Sequence, residues 1–212
     1  MRSFSKQFRS ITPFLLIIYL LTFLVLLAAI LLSTVKNISL DALTKDPTAI
    51  MDAPFYLGVF SNIGIMFWSA AAALCFFTAS RLSNSRISQS SFIFMLFSGL
   101  ITLMLGLDDL FLFHETVAPK YLSISKNTVF LTYANFILIY VVYFRKQILN
   151  TDYLVLILAF VFIGLSAISK TVPLPIPKDT FLEDSLKLFG IVSWFTYYFR
   201  TSNEFLNRSS IH

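Results

Sequence analysis

Charged side chains are scarce in this chain. Asp, Glu, Lys and Arg supply 13% of its 212 residues, about half the share found in soluble domains. A length of 212 residues suits one compact helical bundle, and no further soluble module is expected. Cysteine is nearly missing. The lone Cys75 lies inside an apolar segment, so an intrachain disulfide and a CxxC metal or redox motif are both excluded. Histidine is almost as rare: His114 is internal and His212 belongs to the C-terminal tail, which is few for a zinc site built on imidazoles. The net charge of +5 calls for no nucleic acid as partner, because basic residues flanking membrane spans account for it.

What fills the chain instead is apolar. Hydrophobic residues make up 57%, with 24 Phe, and the mean hydropathy is +0.79. Long apolar runs of this kind point to an integral membrane protein whose partner is the lipid bilayer. The expected fold class is all-α, a polytopic bundle of six transmembrane helices. The runs predict spans over 13–34, 57–79, 91–114, 128–144, 153–168 and 181–199. They form a single membrane domain, 13–199, between a basic N-terminal tail, 1–12, and a C-terminal tail, 200–212. The first run is too long for a signal-peptide core, and no small-residue cleavage site follows it, so it reads as an uncleaved span. Pro54 is expected at the start of the second helix, and Asn127 or Thr128 as the cap of the fourth. The purely apolar part of the last run begins at Leu188. It is too short to cross alone, so its helix must take in Glu183, Asp184 and Lys187.

Lys and Arg set the expected orientation. The tails and even-numbered turns hold Arg2, Lys6, Arg9, Arg81, Arg86, Arg145, Lys146, Arg200 and Arg208, against Lys36, Lys45, Lys120, Lys126, Lys170 and Lys178 on the other side. Both termini are therefore expected in the cytoplasm, and a bacterial inner membrane suits the compact format. The halves of the chain show no convincing internal repeat.

Charge that does occur within the apolar runs is concentrated. Asp108, Asp109, His114 and Glu115 fall within eight positions at the end of the third run, and Glu183, Asp184 and Lys187 open the sixth. Each such group costs roughly 2.5–3.5 kcal/mol at the centre of a membrane helix on insertion scales. The alternating topology brings both groups to one leaflet, the outer one, together with Asn62, Tyr133, Asn135, Ser166 and Ser169. The inner halves of the runs hold no comparable set. On a continuous helix Asp108 and Glu115 are nearly eclipsed, Asp109 is about 100° round, and His114 lies to the other side.

Several chemistries fit these residues, each beside a plainer reading. Asp108 and Glu115, with Glu183, are the candidate catalytic carboxylates. Asp108, His114 and Glu115 are candidate ligands for a divalent metal ion, since imidazole plus carboxylates suit zinc, iron or manganese. The plainer alternatives are helix packing for the acids and an interfacial role for His114. Thr180-Phe181-Leu182-Glu183 fits a capping box in which Glu183 folds back on its helix start. Lys187 reads as a counter-ion to Asp108, Asp109 or Asp184. Asn62 and Asn135 either line the polar site or hydrogen-bond between helices.

Glu183-Asp184-Ser185-Leu186-Lys187 also resembles the EExxK motif of the PrsW-type intramembrane proteases, related to the CAAX prenyl endopeptidases. The spacing from Phe111 to Glu115 is similar to that superfamily's F-x-x-x-E. The resemblance covers about ten residues. Asp184 stands where the motif has its second glutamate, the two motifs occur in reversed order, and the later histidine motif is missing. The resemblance implies a catalytic role for Glu183 in activating water.

Three function classes follow. The first is a metal-dependent or acid–base enzyme, hydrolase-like, acting in the membrane on a lipid-like or otherwise membrane-accessible substrate. The second is a proton-coupled transporter or channel using the same acids. The third is a non-catalytic subunit whose buried charges specify packing.

Overall fold

The computed structural model describes residues 4–54, 56–83, 89–171 and 180–210. Arg2, Arg86, the proline-rich stretch 173–177, Lys178, Asp179 and His212 lie outside the described residues, as do the side chains of Lys6, Ser169, Lys170 and Thr180. Among the described residues every regular element is helical and none is a strand. The chain divides into two compact units, 1–57 and 58–212.

The first unit contains α1 (Phe4–Lys36), α2 (Leu40–Thr44) and α3 (Pro47–Ile50). Its 33 residues make α1 about 50 Å long at a rise of 1.5 Å per residue. Beyond Pro13 the helix is apolar on every side, as suits a lipid environment better than one-sided packing. It stops where Asn37 takes φ 51°, a left-handed conformation that Asn tolerates. Ser39 caps α2 by accepting from the Ala42 amide at 3.3 Å. Asp46 caps α3 by accepting from the Thr48 amide at 2.8 Å, with Pro47 at the first helical position. The Thr48 hydroxyl and amide together hold the Asp46 carboxyl below its ordinary range.

The second unit is built around α4 (Val59–Ser83). It packs against α5 (Gln89–Phe111) and against α10 (Thr180–Ser210), and α10 in turn packs on α9 (Tyr153–Thr171). A π-helical turn (Phe113–Val117) and α6 (Ala118–Tyr121) follow α5, and α7 (Lys126–Tyr143) and α8 (Arg145–Leu149) come before α9.

The buried face of α4 reads Trp68, Ala71, Cys75, Ala79, Leu82, a stripe at helical spacing whose small members let neighbouring backbones approach. Trp194 of α10 is fully buried, with Trp68, Phe160 and Tyr198 edge-on to it at 5.5–5.6 Å. Lipid tails are as apolar as Leu, so apolar burial alone drives little helix association in a bilayer. Interhelical hydrogen bonds supplement the packing. Ser98 and Tyr140 hydroxyls meet at 2.7 Å, Tyr140 and Tyr198 at 3.0 Å, and Trp194 Nε1 donates to Thr102 Oγ1 at 3.0 Å.

Among the described residues three helical stretches, rather than six, are long and apolar enough by themselves to cross a membrane: Leu15–Lys36, Val59–Ser83 and Gln89–Phe111. The apolar part of α9, Tyr153–Ile168, is shorter. Lys126, Asn127 and Asn135 dilute α7, and Glu183, Asp184, Lys187 and the polar C-terminal turns dilute α10. Several boundaries also differ from the sequence expectation: α1 begins at Phe4 rather than Pro13, and α10 continues through the expected tail to Ser210, with Thr201, Ser202 and Phe205 buried. α5 ends at Phe111 rather than His114, because Leu112 is left-handed at φ 50°, ψ 43°. Pro54 lies in a turn before α4, accepting from the Leu57 amide at 3.1 Å. The cap of α7 is Ser125, whose Oγ accepts from the Thr128 amide at 3.2 Å.

Candidate functional site

The last turn of α5 places two carboxylates side by side. Asp108 is 8% and Asp109 5% exposed, and 100° of helix rotation sends them to different neighbours. Asp108 turns toward the chain that follows it. Because Leu112 reverses the backbone, the π-helical turn folds His114 back over the end of α5. The turn is closed by the Thr116 and Val117 amides, which both donate to the Leu112 carbonyl, at 2.7 and 3.2 Å.

Asp108 thereby gains three donors. Its Oδ1 accepts from the His114 amide at 2.9 Å and from the Tyr133 hydroxyl of α7 at 2.9 Å. Its Oδ2 lies 2.5 Å from His114 Nδ1. The imidazole is buried and tilted against the Phe130 ring, with centroids 4.7 Å apart. Its other nitrogen, Nε2, stands 3.6 Å from Glu115 Oε1, and Glu115 is half-buried. Tyr133, Asp108, His114 and Glu115 thus form one continuous row. A carboxylate on Nδ1 fixes the ring's orientation and favours the tautomer protonated there, which turns the Nε2 lone pair toward Glu115 as a base or ligand.

Asp109 turns the other way, toward α4 and α10. Lys187 Nζ of α10 forms an ion pair with its Oδ1, while its Oδ2 is buried without a partner, facing Gly64 of α4. Of the three acids open to Lys187 from sequence, the fold selects Asp109. Ser166 of α9 donates to the Glu183 backbone carbonyl at 3.0 Å, tying α9 to the start of α10. Glu183 is half-buried and Asp184 exposed.

The structure therefore unites Asp108, His114 and Glu115 but not by the continuous-helix geometry. The eclipsed pairing of Asp108 with Glu115 is replaced by a bent segment with His114 between them. Asn62 is exposed, and Asn135 is exposed with its Nδ2 donating to the Leu131 carbonyl of its own helix at 2.8 Å. As a metal set the trio is altered too. Asp108 is engaged behind the ring on Nδ1, which leaves Nε2 and Glu115 as the donors facing one another. Among the described residues no three His, Cys, Asp or Glu side chains group as ligands.

The buried hydroxyls of Ser98, Thr102, Tyr140 and Tyr198 went unmarked in the sequence. The signal that could have found Ser98 and Thr102 is their spacing of four within an apolar run, which puts both on one face.

Beside Asp108 opens a cavity of about 450 Å³, lined by Tyr133 and by apolar residues including Met104, Leu107, Phe111 and Phe113. Acid and phenol thus sit at the edge of an apolar space, with the imidazole behind the acid.

Over residues 16–201 the chain matches the family described as Domain of unknown function (DUF8692), and it belongs to that family. No curated protein and no solved structure matches it.

Proposed function

We propose that this chain is a membrane-embedded enzyme, hydrolase-like, in which His114 acts as general base on a substrate reached from the bilayer. The observation that supports the reading is the buried contact of Asp108 Oδ2 with His114 Nδ1 at 2.5 Å, beside an apolar cavity. In this role Nε2 takes a proton from water. The water oxygen bonds to an acyl carbon, the carbon–oxygen bond to the leaving group breaks, and the proton passes from the imidazolium to that leaving oxygen. Asp108 is a positioning residue. Tyr133 and the His114 amide hold Asp108, so the dyad is braced from two helices. Glu115 faces Nε2 and stabilises the imidazolium. A divalent ion carried by Nε2 and Glu115 would serve the same end by activating the water.

The setting we propose is one membrane domain, 13–199, of six spans with both termini in the cytoplasm of a bacterial cell. The three helices that qualify alone, the antiparallel contacts of α5 with α4 and α7 and of α9 with α10, and the parallel contact of α4 with α10 favour it. Asp108–Tyr133, Asp109–Lys187 and Ser166–Glu183 all link the helix ends assigned to the outer leaflet, while Arg200 meets Asp152 at 2.5 Å among the ends assigned to the inner one.

The packing reading applies to Asp109 and Lys187, whose ion pair joins α5 to α10. It is separable from the chemistry of Asp108.

The experiment is lipid mass spectrometry on nanodiscs formed with a bacterial lipid extract and the purified chain, with metal content measured on the same sample. Time-dependent loss of one lipid class and appearance of its cleavage product, absent with His114→Asn, is the expected result. Unchanged lipids with a folded wild type, or equal turnover by the variant, would contradict the reading.

A further inference from the structure

We infer that the crevice between α5 and α7 holds one alkyl chain of a lipid substrate, with the lipid's polar head at Asp108 and Tyr133. The inference rests on the enzymatic reading and names its substrate class.

The two helices are pinned together at two places. Tyr133 bonds Asp108 at one end and Tyr140 bonds Ser98 at the other. Between the pins they do not close. The cavity beside Asp108 continues into a second of about 430 Å³, and Leu100 and Met104 line both. Phe97, Ile139 and Tyr143 flank the second space, and these three side chains are themselves exposed, so the crevice is open to the surroundings along its side.

Its dimensions fit one chain. From Phe97 to Phe111 the wall runs about 21 Å at 1.5 Å per residue, somewhat more than the depth of one leaflet's hydrocarbon, about 15 Å. Its polarity fits a lipid entering tail-first along α5. The walls are apolar, and the polar lining of the cavity beside Asp108 is that acid with Tyr133. A head bearing hydroxyl or ester groups suits that end. An anionic head would meet Asp108 directly and Glu115 nearby. At the far end a third cavity, of about 490 Å³, is lined by Ser90, Arg145, Lys146 and Gln147. An anionic lipid bound there is the competing occupant.

The test uses the full chain in phosphatidylcholine nanodiscs, with a monoacylglycerol carrying a photoactivatable diazirine at mid-chain. Peptides are mapped after illumination. Labelling at Met104 and Ile139 is expected to exceed that at the exposed Leu154 and Leu158 of α9 about tenfold, the factor that about one hydrogen bond from the head to Asp108 or Tyr133 supplies, since bilayer tails match the apolar walls. Unlabelled monoacylglycerol should compete the groove signal away, which requires no variant. Met104→Trp, and independently Leu100→Phe, should reduce it by a similar factor.

Equal labelling of the crevice and of α9 overturns the inference. So does a crevice signal that appears only with an anionic phosphatidylglycerol probe and is lost in Arg145→Gln/Lys146→Gln. His114→Asn separates the two claims, since it should keep the labelling and lose turnover. Crevice labelling without wild-type turnover would remove the enzymatic reading and leave an alkyl-chain site. Turnover with uniform labelling would do the reverse.

Discussion

Adjacent carboxylates on one helix turn carry different loads here. Asp108 accepts three hydrogen bonds and orients an imidazole. Asp109 forms one ion pair and keeps one buried oxygen unpartnered. Substitutions should separate them. His114→Gln is expected to lower turnover by about 10²–10⁴-fold, the usual contribution of a general base, with little change in thermal stability. Lys187→Met should leave Asp109 buried and unpaired. A fully buried pair broken this way costs about 3–5 kcal/mol, and the partial exposure of Lys187 reduces that to about 2 kcal/mol. The double variant Asp109→Leu/Lys187→Met should recover most of the loss, because no uncompensated charge remains. Unfolding of the three variants in detergent, beside wild type, checks this. A double variant less stable than either single one would contradict the packing role. From sequence, the concentration of acids and Lys187 at one end was legible, since charge inside apolar runs stands out. Their pairing was not. The wheel of a continuous helix places His114 away from Asp108, and one left-handed residue cancels that wheel.

Secondary-structure elements were the most legible level. Apolar runs put six long helices at about the right places, because length and hydropathy decide helix existence in a membrane-like sequence, but they missed the polar extensions of α1 back to Phe4 and of α10 on to Ser210. Their ends depended on local chemistry that hydropathy does not weigh: Ser125 as a cap, and Leu112 as a break. The break yields a test. Pro at 112 is restricted to φ near −65° and cannot adopt the observed 50°. Leu112→Pro should abolish turnover by removing His114 from Asp108. Leu112→Gly should retain it, since glycine takes positive φ freely. Equal activity in both would show that the bend is not needed. The contact of α9 with α10 is comparably strict. A Cβ at Gly190 would come within 2.5 Å of Ile163 Cγ1 and 3.2 Å of the Ala159 carbonyl. Gly190→Ala should cost about 1–3 kcal/mol through overpacking, read as a lower unfolding temperature.

For the whole molecule, neutral hydroxyls were the least visible feature. Ser98, Thr102, Tyr140 and Tyr198 are ordinary residues within apolar runs. Only the assembled bundle shows that they join α5, α7 and α10. The topology was read from hydropathy and Lys/Arg asymmetry, and it has its own check. In a Cys75→Ser background, single cysteines at Lys120 and Lys146 should differ in whole cells. A membrane-impermeant thiol reagent should label position 120 and spare position 146 until the cells are opened. The opposite pattern would invert the orientation, and labelling of both would contradict an alternating bundle.

The most direct test of the account is the tautomer of His114 in the folded protein. The chain has two histidines, so His212→Gln leaves one imidazole to observe by ¹⁵N NMR in nanodiscs. Nδ1 is expected to be protonated and Nε2 unprotonated, with the tautomers becoming mixed or reversed in Asp108→Asn. An imidazole protonated at Nε2 alone, unchanged by Asp108→Asn, would mean that Asp108 does not hold His114 for chemistry, and the proposed base would be lost.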